Sequence, residues 1–156
     1  MKKIITICFM LLLLAVALTG CQKSVDVIVT AASKTESLTK LNAYLASIKE
    51  KSDAIRSSLE NDALTQSDMN QKAQELDELW AAALTHVLSE AKNILSEDEW
   101  TKLASEQNAW MEEKEKAVQA AGKEFEGGSL YPLTVSMESA RITEERVDAL
   151  DCILMQ

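Results

Sequence analysis

Helix breakers are nearly absent from most of this chain. After residue 20 it has three glycines, Gly122, Gly127 and Gly128, and one proline, Pro132, and all four lie within eleven residues. Glycine and proline are the residues least compatible with a helix interior, so the rest of the chain can run helical without interruption. Leu, Ala and Glu are the commonest residues, all good helix formers, and aromatic residues are few. The expected fold class is all-α.

Apolar spacing divides the helical stretch into four. Leu38, Leu41, Leu45, Ile48, Ile55 and Leu59 fall at three- and four-residue steps, with Ser52 completing the stripe, and predict a first amphipathic helix over roughly 36–60. Asn61-Asp62 breaks the pattern, and Ser67 is the expected N-cap of the next helix. Met69, Ala73, Leu76, Trp80, Ala83, Val87, Ala91 and Ile94 then repeat in steps of four and three, the seam of a bundle helix over roughly 67–95. Ser96-Glu97-Asp98-Glu99 is a capping box just before Trp100. The third stripe is Trp100, Leu103, Gln107, Trp110, Lys114, Ala117, Ala121 and Phe125, with Trp110 as core and Gly127-Gly128 as the stop. Pro132 sits in the first turn of a fourth helix carrying Leu133, Met137, Ala140, Thr143, Val147, Leu150 and Leu154. Four amphipathic helices with short connections predict an antiparallel bundle over residues 35–156.

The N-terminus has a different design. Lys2-Lys3 precedes an apolar run from Ile4 to Leu18, followed by Leu18-Thr19-Gly20-Cys21. A basic start, a short apolar region and small residues before a cleavage point describe an export signal, and the run is short for a bilayer span. The last four residues resemble the bacterial lipobox, which implies cleavage before Cys21 and lipid attachment there, with two or more acyl chains such as palmitate as a stable anchor. A plain secretory signal with an incidental cysteine, or an uncleaved anchor, fits this anatomy less well. The expected division is a signal peptide over 1–20, a tether over 21–34, in which Val25 to Val29 suit a short extended segment, and the helical domain. Gln22 after the cysteine lacks the aspartate that retains lipoproteins in the inner membrane of familiar two-membrane bacteria. The expected location is the cell envelope, on the outer side of the cytoplasmic membrane or in the outer membrane, facing away from the cytoplasm.

Loss of residues 1–20 removes Lys2 and Lys3 and no acid, taking the formal charge from -9 to -11. An acidic chain repels phosphate backbones, which excludes nucleic acid as a natural partner, and reaches a membrane through its lipid rather than through a basic patch. Cys8 is expected to leave with the signal and Cys21 to be acylated, so Cys152 would stand alone and no internal disulfide is expected. Its apolar neighbours Ile153, Leu154 and Met155 predict a half-buried structural thiol.

Chemistry-bearing residues are sparse. Gln107 and Lys114 interrupt the third stripe on either side of Trp110, and buried polar groups need partners. Thr143 and Arg146 on the fourth helix are the candidates, with a glutamate taking the charge, and the four residues form a polar cluster that fixes register or receives a ligand. The single histidine, His86, lies among apolar residues at a surface or boundary position. HExxH, CxxC and GxSxG motifs and a phosphate-binding glycine loop are all missing, and the neighbouring pairs Glu112-Glu113 and Glu144-Glu145 point about 100° apart on a helix, as solvated charge. No enzyme, cofactor or metal site is expected.

Thr65-Gln66-Ser67-Asp68-Met69-Asn70, Leu103-Ala104-Ser105-Glu106-Gln107-Asn108-Ala109-Trp110, Gly127-Gly128-Ser129 and Ile142-Thr143-Glu144-Glu145-Arg146 with Leu150 resemble the lysozyme-inhibitor LprI-like N-terminal domain, over about 64–150. Lys114 stands where that family usually has arginine, its framework cysteines are missing, and its Leu-Asn-x-x-Tyr element is reduced to Ala83-Leu84-Thr85-His86-Val87. The resemblance implies a small exported or lipid-anchored helical domain that binds another protein, lysozyme or a different envelope protein, with the Gly127-Gly128-Ser129 loop as the segment able to enter a cleft. The alternatives are a structural or accessory envelope lipoprotein without inhibitor activity and a small-ligand binder using the polar cluster.

Overall fold

Capping side chains and glycine set the helix boundaries. The computed structural model describes residues 33–156, in four α-helices: α1 (33–61), α2 (Gln66–Ile94), α3 (Glu97–Gly122) and α4 (Tyr131–Leu154). Residues 33 and 34, assigned to the tether by sequence, are helical; the rest of the tether, the signal peptide and Cys21 lie outside the described residues. The N-cap of α2 is Thr65, not Ser67. Thr65 and Asp68 exchange a full capping box, with Asp68 N–H donating to Thr65 Oγ1 at 3.2 Å and Thr65 N–H donating to Asp68 Oδ2 at 3.1 Å. A cap at Ser67 would place Asn70, which has no carboxylate, at the reciprocal position. These bonds from Thr65 hold the Asp68 carboxyl below the ordinary aspartate range. At α3 the Ser96–Glu99 box forms as the sequence predicts.

The seams become the core. Leu41, Leu45 and Ile48 of α1, Leu76, Trp80 and Val87 of α2, and Val147, Leu150 and Leu154 of α4 are buried together. Ala73, Ala83 and Ala91 on α2 and Ala140 on α4 have no exposed surface. Such small side chains let helices approach closely, and α4 accordingly lies along α2 over much of its length. Polar contacts also hold α1 onto this pair, among them the Lys49–Asp148 ion pair at 2.9 Å. Trp80 Nε1–H donates to Ser52 Oγ at 3.1 Å, and Arg56 donates to Glu144 at 2.5 Å. Glu144 is therefore an interhelical ion-pair partner, unlike the free surface charge its sequence neighbourhood suggests. All of the buried core lies within the compact unit Leu38–Gln156.

The third helix is set apart. Of its predicted stripe only Leu103 and Gln107 are buried; Trp110, Lys114, Ala117 and Ala121 are half-buried. It rests on α4 and, beyond the tight Leu95-Ser96 connection, stands off α2. It also ends at Gly122, well before Gly127-Gly128. Gly122 is pressed so closely to α4 that a Cβ there would lie 2.5 Å from Val135 Cγ1 and 2.7 Å from the Tyr131 ring. A short 3₁₀ turn, Lys123–Phe125, follows, and the chain reverses through Gly127 at φ +77°, a left-handed value that suits glycine. Phe125, expected on the buried stripe, is exposed on that turn. Cys152 is exposed too, because Leu150 and Leu154 take the core-facing positions of the last helical turn.

Candidate functional site

Gln107, Trp110 and Lys114 lie two helical turns apart at most on α3, and Ser139, Thr143 and Arg146 occupy the facing stripe of α4. Arg146 Nε–H donates to Gln107 Oε1 at 2.8 Å, and Lys114 Nζ donates to Thr143 Oγ1 at 2.7 Å. Thr143 passes its own proton to the Ser139 carbonyl at 2.6 Å, and Ser139 Oγ donates to Asp77 Oδ1 of α2 at 2.5 Å. The structure thus brings all four candidate residues together and adds Asp77 and Ser139, which connect α3 to α2 by way of α4.

The electrostatics of this cluster are unbalanced. Lys114 Nζ and Arg146 Cζ each lie 5.8 Å from the centre of the Trp110 ring, within cation–π range. No carboxylate among the described residues forms an ion pair with either, so the glutamate expected to take the charge is not in contact. Arg146 Nη2 is buried with no acceptor among the described residues. Burial pushes the Lys114 ammonium below the ordinary lysine range, against the opposing charge of Asp77, and pushes Arg146 down as well, against Glu106. Desolvation disfavours the charged form of both.

Trp110 is a wall of this site, not the core residue its place on the stripe suggests. Because α3 diverges from α2, an open groove of about 550 Å³ separates them. Leu84 and Leu88 line one side, Trp110 and Met111 the other, and Ser139 and Thr143 of α4 form its floor with Lys114 reaching over them. Leu84 and Leu88 form a second apolar column beside the α2 seam, a four-residue spacing visible in the sequence but left outside the stripe read there. The fully buried tryptophan is Trp80.

The other candidates have simpler settings. His86 is half-buried, its ring edge-on to Tyr44 with centroids 4.3 Å apart. The α3–α4 turn exposes Phe125 and Leu130 beside Glu124 and Glu126, and Asn70 of α2 pins it by donating to the Ser129 carbonyl at 3.1 Å. Among the described residues no group of three His, Cys, Asp or Glu could hold a metal ion, and no helix is long and apolar enough to cross a membrane.

Helical seams, two capping boxes and a polar cluster shared by three helices define a small all-α bundle whose distinctive groups are placed for packing and binding. The profile of the family described as lysozyme inhibitor LprI matches residues 49–150, well over half of the chain, and the chain belongs to that family. The match ends at Leu150, as the motifs predict, and begins earlier than they do, taking in the second half of α1. No curated protein and no solved structure matches the chain at a significant level.

Proposed function

We propose that this chain is a lipid-anchored protein of the bacterial cell envelope that binds lysozyme and inhibits it. The observation that carries the reading is the family match, which runs through all four helices. Charge supports it: lysozyme is a basic enzyme with a carboxylate-lined cleft, and a partner with formal charge -9, or -11 without its leader, is steered toward it. The α3–α4 turn supplies a contact of suitable chemistry, with Phe125 exposed between Glu124 and Glu126, Leu130 exposed further along, and small residues at Gly127-Gly128 suited to entering a cleft. Inhibition by occlusion needs no catalytic group in the inhibitor, in keeping with a non-enzymatic role. The Cys21 lipid would hold the domain on the membrane face turned away from the cytoplasm, where an incoming muramidase is met.

The test is hydrolysis of a bacterial cell-wall suspension by lysozyme in the presence of residues 22–156, which retain the whole core unit. Saturable inhibition is expected, weakening as salt screens the charges over a Debye length of about 8 Å at physiological ionic strength. Absence of inhibition across several lysozyme types would remove this reading in favour of an accessory envelope role. The anchor is tested separately: Cys21→Ala in the full chain is expected to move the protein from the membrane fraction to the soluble envelope fraction. Unchanged membrane association with normal export would rule out lipidation at Cys21.

A further inference from the structure

The α2–α3 groove and the two cations at Trp110 have a combined meaning that packing alone does not require. Several other basic side chains in the bundle meet acids: Lys49 meets Asp148, Arg56 meets Glu144, Lys116 meets Glu113, and Arg141 meets both Glu138 and Glu145. With 25 acidic against 16 basic residues, carboxylates are in excess. Lys114 and Arg146 nevertheless share one indole without an ion pair among the described residues. Lys114 spends one of its three N–H donors on Thr143, and the Arg146 Nη2 group is buried with no acceptor. The nearest acids are otherwise placed. Asp77 is engaged by Ser139, Glu115 at the groove edge accepts from Gln119, and Glu106 acts on Arg146 only through its field. Beside this positive end runs an apolar channel whose volume falls within the roughly 300–1,000 Å³ typical of small-molecule sites. Its outer wall, Met111, is 57% exposed, which leaves the channel open to solvent.

We propose that this groove is a binding site for a single-chain anionic amphiphile of the fatty-acid class, its carboxylate received by Lys114 in the field of Arg146 and its alkyl chain lying along Leu84, Leu88 and Met111. A carboxylate there supplies the acceptor that the Lys114 ammonium lacks, in a partly dry setting where charge-assisted hydrogen bonds are strong. The alkyl chain covers apolar surface that α2 and α3 leave unpaired. The site is independent of the inhibitor reading and lies apart from the α3–α4 turn.

The experiment is a titration of residues 22–156 with dodecanoate below its micelle-forming concentration, followed by calorimetry and tryptophan fluorescence, with dodecanol as the uncharged control. Saturable one-to-one binding of dodecanoate is expected, about tenfold or more tighter than that of dodecanol, since a hydrogen bond to a charged group is worth at least one decade of affinity. Lys114→Met keeps the stem and removes the charge, and is expected to abolish that preference while melting at or above the wild-type temperature, because it relieves a desolvated ammonium. Met111→Glu changes an exposed side chain, leaves folding intact and places a repelling carboxylate on the wall; it should weaken dodecanoate by a similar factor. Equal affinity for dodecanoate and dodecanol, unchanged dodecanoate binding in Lys114→Met or Met111→Glu, or absence of one-to-one saturation would each overturn the proposal. Lysozyme inhibition would be unaffected by that failure.

Discussion

Replacing Trp80 with alanine is expected to destabilise the protein by about 3 to 5 kcal/mol, the range for removing a large aromatic from a core. The side chain has no exposed surface and sits where α1, α2 and α4 converge. Its indole N–H is also the donor to Ser52 Oγ, a buried hydroxyl that relieves the cost of placing a polar atom on the inner face of α1. Truncation therefore opens a cavity and removes a bond between helices together. Against a total stability of about 5–15 kcal/mol for a domain, a loss of this size leaves a large unfolded fraction near physiological temperature. Urea unfolding followed by circular dichroism measures it. The comparison that decides the point is Trp110→Ala, whose ring is half-exposed; if that variant were the more costly, the assignment of the core to α1, α2 and α4 would be wrong.

The second large effect is expected at Gly122. Alanine is favoured over glycine in a helix by about 1 kcal/mol, so at an open position Gly122→Ala would stabilise α3. Here the added methyl would lie 2.5 Å from Val135 Cγ1 and 2.7 Å from the Tyr131 ring. Valine is stiff about χ1, so the two helices must separate, and overpacking of this kind costs typically about 1–3 kcal/mol. A net loss is expected for Gly122→Ala and a greater one for Gly122→Val, which adds bulk without alanine's helix preference. Making room on the other side with Val135→Ala should recover much of the loss, and a double-mutant cycle reads that coupling directly. Simple additivity of the two substitutions would mean that α3 and α4 do not touch here as described.

The sequence reveals the bundle where a residue's environment follows from its own helix. The seam from Ala73 to Ala91 is buried residue for residue, and the Ser96–Glu99 box starts α3 where its pattern says. Reading becomes harder where a second element decides. The α3 stripe has the period of a buried face, yet Trp110 and Ala117 stay half-exposed because α2 turns away from them, a property of neither helix by itself. Phe125 leaves the stripe because Gly122 ends the helix against Val135, a contact that no local pattern encodes. The same division holds within the site. Gln107 and Lys114 stand out as polar breaks in an apolar stripe, and Thr143 and Arg146 follow at helical spacing from the facing stripe. Asp77 and Ser139 lie beside the seams, where polar residues are ordinarily solvated, and only the approach of α4 to α2 makes them partners. Thr65 in place of Ser67 is a local choice the pattern contained: the acid three residues ahead is Asp68 for one and missing for the other.

That Leu103 is the sole apolar residue α3 gives to the buried cluster bears on how the molecule opens. Local unfolding free energies follow buried apolar contact, and helices with few such contacts detach at a fraction of the global stability. Three helices can hold together while the fourth swings on the Leu95-Ser96 turn and the glycine turn after Phe125. Stability is therefore unevenly distributed, and the segment that opens most cheaply carries one wall of the groove, Gln107 and Lys114. Whatever binds there also acts as a clasp, closing the loosest joint of the protein.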